Sequence, residues 1–477
     1  MDSIDLSPSQ FKKLAESVLE VATRHLQELE RRPIAPSVKA SRLEELFHTA
    51  LPESGIGEEA LEQLEAVVRH SRAQNGRFFG YVLGSGEPVS AATEVLCSVL
   101  NQNVTAWRSA PAAITIERTV VSWLAQALGC ASFAGTLTAG GSSANLMALA
   151  MAREAKTPAN ERGLSDTKRL AVYASSEVHM SIRKAVALLG LGLDKIRTIP
   201  VDDFFRMIPE DLTRAMESDA AQGIPGVIVA SAGTVNTGAI DPLQEIAAIA
   251  SKYSAWLHID GAYGALAAIA APDKFSHLEL ADSISLDPHK WLYQPIDCGC
   301  LLYRDPEAAR RAFSNSGEYV RSLSEDQLEG YAIFEESIEL SRRFRALKLW
   351  FSIRYHGFAK LRQSIQKDLR HAQRLAGQIQ AQTTLELQAS VELSAVCFRY
   401  VGEQRPEDPE LNELNAAILQ RIIERGNIYL SNATLRSKFC LRACIVNHRT
   451  TDADIDRVVP EVLAAAKDVI PAYHSRR

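Results

Sequence analysis

No apolar run in the 477-residue chain reaches the roughly 18 residues of a membrane-spanning helix. The start, Met-Asp-Ser-Ile-Asp, lacks the basic and apolar regions of a secretory signal. The expectation is therefore a cytoplasmic protein with no membrane partner. Basic blocks are missing as well. The 52 Lys and Arg against 58 Asp and Glu give a net charge of −6, which leaves no footprint for nucleic acid. Cysteine is sparse: seven are dispersed along the chain, and the pair Cys298 and Cys300 lacks two further ligands nearby for zinc, so buried free thiols are expected. Neither Gly-x-Gly-x-x-Gly nor Gly-Lys-Ser/Thr accompanies the glycine-rich turn at 140–143, so dinucleotide and triphosphate readings lose ground. There is no internal repeat and no low-complexity tract. A chain of this length is expected to form roughly two or three domains with a large core.

What is present centres on Ser-Leu-Asp-Pro-His-Lys-Trp, Ser285 to Trp291. Upstream, Ala281 to Leu286 alternates apolar and polar residues like a half-buried strand, and Cys298 to Tyr303 reads as another strand. Lys290 thus falls in a turn between two strands, beside His289 and Trp291. Partial desolvation there suits an amine nucleophile, which makes Lys290 a candidate Schiff-base lysine. A further short strand, Ser254 to Ile259, ends at Asp260 and is followed by Gly261, Ala262, Tyr263 and Gly264, which leaves room for a flat ligand. An Asp there could keep a pyridine nitrogen protonated, although alone it also suits a cap or a structural acceptor. Gly135 to Asn145 is a small-residue turn running into a helix expected over Leu146 to Arg153. Its free N–H groups and Ser142 and Ser143 suit an anion such as phosphate, although most such turns are only caps. His179 follows a strand expected over Arg169 to Ala174 and precedes a helix expected over Met180 to Leu189. All four elements sit where strands meet helices, the place where open α/β sheets collect ligands.

Taken in order, Gly-Gly-Ser-Ser, Glu-Val-His179, His258-Ile-Asp260-Gly-Ala-Tyr and Asp287-Pro-His-Lys290-Trp resemble the group II pyridoxal-phosphate-dependent amino acid decarboxylases, above all those acting on aromatic amino acids. The likeness runs from about Ser7 to the C-terminus. It implies the aspartate aminotransferase type I fold: a mostly parallel central sheet flanked by helices, a small C-terminal α/β domain and an N-terminal helical segment. It also implies pyridoxal phosphate as cofactor, held by Lys290 as a Schiff base, with Asp260 on the pyridinium nitrogen. His179 would stack on the ring and help orient the substrate carboxylate. Gly141, Ser142, Ala262, Asp287 and His289 would line the cofactor, with Asp287 standing where relatives have Asn. Tyr319, in the polar, glycine-punctuated stretch from Ser314 to Gly330, would return a proton to the substrate's Cα. Phenylalanine at that point accompanies aldehyde formation in relatives, so tyrosine favours the amine.

The organisation is expected in three parts: a helical dimerisation segment over 1–86, a large cofactor-binding α/β domain over 87–357 and a small α/β domain over 358–477. Phe11, Leu14, Val18 and Val21 recur at helical spacing in a segment poor in its own core, and the resemblance implies that it wraps a second subunit in a homodimer with the active site at the interface. Phe79, Tyr81, Val82, Leu83 and Trp107 would make an aromatic and apolar substrate wall, or else core and interface. Tyr-Val-Leu-Gly departs from the family's Tyr-Phe-Pro-Thr, and Arg108 could pair with an acidic substrate or an interface acid. The expected activity is decarboxylation of an aromatic L-amino acid by a carboxy-lyase. Decarboxylation of glutamate, aspartate or cysteine sulfinate, aldehyde synthesis, aminotransfer, metal-dependent hydrolysis and a non-catalytic dimer are the alternatives.

Overall fold

Short runs rich in Val, Ile and Ala, such as Ala-Val-Tyr-Ala-Ser and Gly-Val-Ile-Val-Ala-Ser, suit strands buried on both faces. The computed structural model, which describes residues 4–36, 38–164, 170–314 and 329–474, places them in one sheet. Its strands are β1 (Ala134–Thr138), β2 (Ala171–Ser175), β3 (Ile196–Ile199), β4 (Gly226–Ser231), β5 (Trp256–Asp260), β6 (Ser283–Leu286) and β7 (Gly299–Tyr303). The order is β1-β7-β6-β5-β4-β2-β3, parallel except for β7, which runs antiparallel to β1 and β6. Helices cover both faces. Val227 and Val229 pack with Met147, Ala148 and Met151 of helix Gly141–Lys156, while Ile228 and Ala230 turn to the other face with Leu243 and Ile246. This is the expected mostly parallel sheet flanked by helices.

A second sheet follows, with β8 (Leu385–Leu387), β9 (Ala395–Tyr400), β10 (Ser431–Leu435) and β11 (Lys438–Cys444) in the antiparallel order β10-β11-β9-β8. Its core joins Phe398 and Leu441 to Leu375 and Ile379 of helix Phe358–Gln380 and to Ile418 of helix Asp408–Arg425. The chain ends in two helices, Asp452–Asp456 and Val458–His474, meeting at Arg457.

Helix Pro8–Glu28 starts at a capping box between Ser7 and Gln10 and buries none of its residues. Phe11, Leu14 and Val18 stay exposed on it, as do Val95, Leu96 and Val99 on helix Pro88–Leu100. Among the described residues no helix is long and apolar enough to cross a membrane.

Three local differences bear on the site. The helix expected from Leu146 begins five residues earlier, at Gly141, because its first turn faces a cavity and carries no apolar signal. Lys290 lies on a short helix, Pro288–Trp291, rather than in an open turn. The strand read as half-buried by its alternation forms over Ser283–Leu286 and is wholly buried there, with its polar members Ser283 and Ser285 fully enclosed.

Candidate active site

The C-terminal ends of β4, β5 and β6 and the start of helix Gly141–Lys156 enclose a cavity of about 310 Å³. Strand period alone aims Trp256, His258 and Asp260 at one face of β5, with Asp260 at the cavity edge. Asp260 is well held. Its Oδ1 accepts from Ser285 Oγ at 3.1 Å and from the Ala262 N–H at 3.2 Å, and its Oδ2 accepts from Asn145 Nδ2 at 3.0 Å.

In the same cavity, Lys290 Nζ lies 2.8 Å from Asp287 Oδ2. His289 Nδ1 accepts from the Cys298 N–H at 3.3 Å, which puts its proton on Nε2, 3.6 Å from the same Asp287 oxygen. Burial lowers the His289 pKa, with the Asp287 charge opposing. Asp287 Oδ1 is buried, and no hydrogen-bond donor reaches it among the described residues. His179 faces the cavity from the N-cap of helix Met180–Leu188; its Nδ1 accepts from the Ser181 N–H at 3.2 Å, and burial lowers its pKa.

The chain approaches this cavity closely in two places. A Cβ on Gly141 would come within 2.6 Å of the Ala262 Cβ and 3.0 Å of Asp287 Oδ2, so a side chain there would fill the cradle. Gly84 passes over the lysine helix, its N–H bonded to the His289 carbonyl at 3.1 Å, and a Cβ would meet that oxygen at 2.3 Å.

Gly141, Ser142, His179, Asp260, Ala262, Asp287, His289 and Lys290 therefore all line one cavity, as their motifs suggested. Tyr319 lies outside the described residues. The expected substrate wall does not form within one chain, since Phe79, Tyr81, Val82 and Trp107 are not among the residues lining the cavity. Phe79 is a correction: it pairs by backbone with Tyr429 and Cys444, and its fully buried ring joins the core of the second sheet. Tyr81 has a left-handed backbone (φ 63°), stays half-exposed and sets its hydroxyl 3.2 Å from that of Tyr429. Val82 and Trp107 pack partly buried against the main core, and Arg108 is exposed.

Sequence reasoning missed Asn145, Thr234 and Val235, which line the cavity, and Arg442 behind them. Arg442 is buried, and it donates to the Val235 carbonyl at 2.8 Å and to Ser431 Oγ at 3.1 Å, both neutral groups. An arginine on the inward face of β11 was its only signal.

This arrangement fits a flat, phosphorylated pyridine. The helix start offers unpaired N–H groups to an anion, Gly141 keeps the floor open, Asp260 can bind a ring N–H, and Asp287 Oδ1 awaits a donor. Comparison with known proteins agrees. The pyridoxal-dependent decarboxylase conserved domain matches residues 40–401. An aromatic-L-amino-acid decarboxylase from Bacillus atrophaeus is 32% identical, covering 99% of this chain and 98% of that protein. A phenylacetaldehyde synthase from Petunia hybrida is 29% identical, covering 92% of this chain and 91% of that one. The crystal structure of Oryza sativa TDC with PLP and tryptamine superimposes with a TM-score of 0.92 at 25% identity, covering 98% of this chain and 99% of that one. With cavity, motifs and relatives in agreement, the chain belongs to the pyridoxal-dependent decarboxylase family, whose cofactor is pyridoxal phosphate.

Proposed function

We propose that this protein decarboxylates an aromatic L-amino acid to its amine and carbon dioxide, with Lys290 as the residue that anchors the cofactor. The observation that carries the reading is that Lys290 and Asp260 line one cavity together with the start of the Gly141 helix. When bound, pyridoxal phosphate supplies an electron sink for the pair left behind as carbon dioxide departs.

The chain's own residues supply the rest. Lys290 offers its amine from a short helix that Gly84 holds down from above. Asp260, held by three donors, keeps a proton on the ring nitrogen, because a fixed carboxylate in a low-dielectric cavity favours the positively charged partner. The first turn from Gly141, with Ser142 and His289, binds the phosphate through N–H and O–H donors. His179 presents a neutral, flat ring whose Nε2 carries the proton, suited to stacking and to holding the substrate carboxylate. Arg442, a buried cation with neutral partners beside Val235, biases that side of the cavity toward an anion. Tyr319 is assigned the return of the proton to Cα, and Phe79 is no longer part of the substrate wall.

The aromatic substrate rests on the Bacillus atrophaeus relative and on Tyr81, Val82 and Trp107, which are assigned to the wall that a second subunit completes in a homodimer. The uncovered apolar faces of helices Pro8–Glu28 and Pro88–Leu100 support that dimer. The three-part division at 86 and 357 and a cytoplasmic location belong to the same reading. A second reading, release of an aldehyde, is favoured by the Petunia hybrida relative. A panel of aromatic and acidic amino acids, scored for carbon dioxide, amine, aldehyde and ammonia, separates the two. Aromatic substrates are expected to give carbon dioxide and amine in equal amounts. Aldehyde with ammonia, or preference for an acidic amino acid, would overturn the reading.

A further inference from the structure

A set of buried polar groups lies behind Asp260, and the bonds among them leave no freedom of direction. Trp256 and His258 share a face of β5 with Asp260, and the sheet register sets Ser283 beside His258 and Ser285 beside Asp260. Trp256 Nε1 reaches Ser283 Oγ at 3.0 Å, Ser283 Oγ lies 3.0 Å from His258 Nδ1, and His258 Nε2 lies 2.9 Å from Asn145 Oδ1. Asn145 Nδ2 then reaches both Asp260 Oδ2 at 3.0 Å and Ser181 Oγ at 2.9 Å. Ser181 Oγ lies 2.8 Å from His179 Nδ1.

The two ends fix the middle. An indole N–H can only donate, and a carboxylate can only accept. Asp260 therefore faces the Asn145 NH₂, so the Asn145 oxygen accepts from His258 Nε2–H. Burial lowers the His258 pKa to about 4, so the ring is neutral at pH 7 and its Nδ1 is bare. That nitrogen accepts the Ser283 hydroxyl proton, and Ser283 in turn accepts from Trp256. On the other branch, Ser181 accepts from Asn145 and gives its hydroxyl proton to His179 Nδ1, which the Ser181 N–H also reaches.

We propose that Asn145 is a positioning residue through which the Trp256–Ser283–His258 chain fixes the orientation of the Asp260 carboxylate. The Asn145 amide serves the nitrogen edge of the bound ring, at Asp260, while the tautomer of His179 at its face is already set by the Ser181 N–H on Nδ1. His258 acts through Asn145 and never touches the cofactor. The inference rests on the reading that Asp260 pairs with the pyridine nitrogen.

The test compares affinity for pyridoxal phosphate with affinity for its 1-deaza counterpart, which keeps the phosphate and aldehyde but has no ring nitrogen. The full-length wild type is expected to prefer pyridoxal phosphate. Asn145→Leu is expected to cut that preference by about tenfold or more while leaving the deaza affinity nearly unchanged, since a donor to a charged group is lost. A merely structural defect would weaken both ligands equally, and that result would overturn the inference, as would a preference that survives Asn145→Leu. No preference in the wild type would overturn the Asp260 reading and the inference with it. A neutron structure of the unaltered holoprotein needs no variant. Deuterium on His258 Nε2 alone supports the chain of bonds; deuterium on His258 Nδ1 overturns it.

Discussion

Asp260 and Asp287 face the same cavity, and their surroundings are built on opposite plans. Asp260 has a hydroxyl, a backbone N–H and an amide fixing both of its oxygens. Asp287 shares one oxygen between Lys290 and His289 and leaves the other buried without a donor among the described residues. A buried polar atom with no partner is destabilising, by about 1–3 kcal/mol, and persists where something else supplies the bond. The contrast separates a charge that must stay still from one whose partner must move. On the proposed function, Asp260 would hold the same proton throughout a cycle, whereas the Lys290 amine would be released and recaptured at every turnover.

The comparison can be broken at several points. Lys290→Ala should remove visible cofactor absorbance that borohydride can bleach and lower carbon dioxide release by roughly 1000-fold or more, because no other amine lines the cavity among the described residues. Asp260→Ala should follow, with a loss of about 3 kcal/mol in transition-state stabilisation, or roughly 100-fold in rate, measured under saturating cofactor. Normal turnover in Asp260→Ala would contradict the account of the fixed charge.

His258 sharpens the same contrast through stability. Its folded pKa is depressed to about 4 by burial, against 6.5 unfolded, so the unfolded chain binds more protons between those values. The stability that neutral His258 permits is present above pH 6.5 and is lost as pH falls toward 4. By pH 5 this amounts to about 2 kcal/mol. Thermal unfolding at pH 7 and pH 5 should show His258→Gln losing that part of the wild type's acid sensitivity. Asp287→Asn should be milder, less than about tenfold in rate, since its amide oxygen can still accept from Lys290. Arg108→Ala should be mildest: the side chain is exposed, and decarboxylation of an aromatic amino acid is expected to change by about twofold at most. A collapse of activity in Arg108→Ala would favour an acidic substrate.

Much of the fold and one side of the site were legible in the sequence. Short Val- and Ile-rich runs between helical segments announce a covered parallel sheet, and Lys290, Asp260 and His179 each stand at a strand's end or just past it. What escaped did so for physical reasons. The alternation in Ala281 to Leu286 marks a polar face but does not say whether water or protein meets it; here Ser283 and Ser285 meet His258 and Asp260. Asn145 is one helical turn past Gly141, and nothing local distinguishes it from a surface amide, because its partners lie 36 to 115 residues away. Phe79 reads as a pocket aromatic in a motif, but its backbone pairing with the second sheet turns it into that sheet's core.

The most direct test of the account is to treat the cofactor-loaded protein with borohydride, digest it and find the modified lysine by mass spectrometry. The account predicts a reduced pyridoxyl phosphate group on Lys290 alone. An unmodified Lys290 peptide, with the label on another lysine or on none, would contradict it.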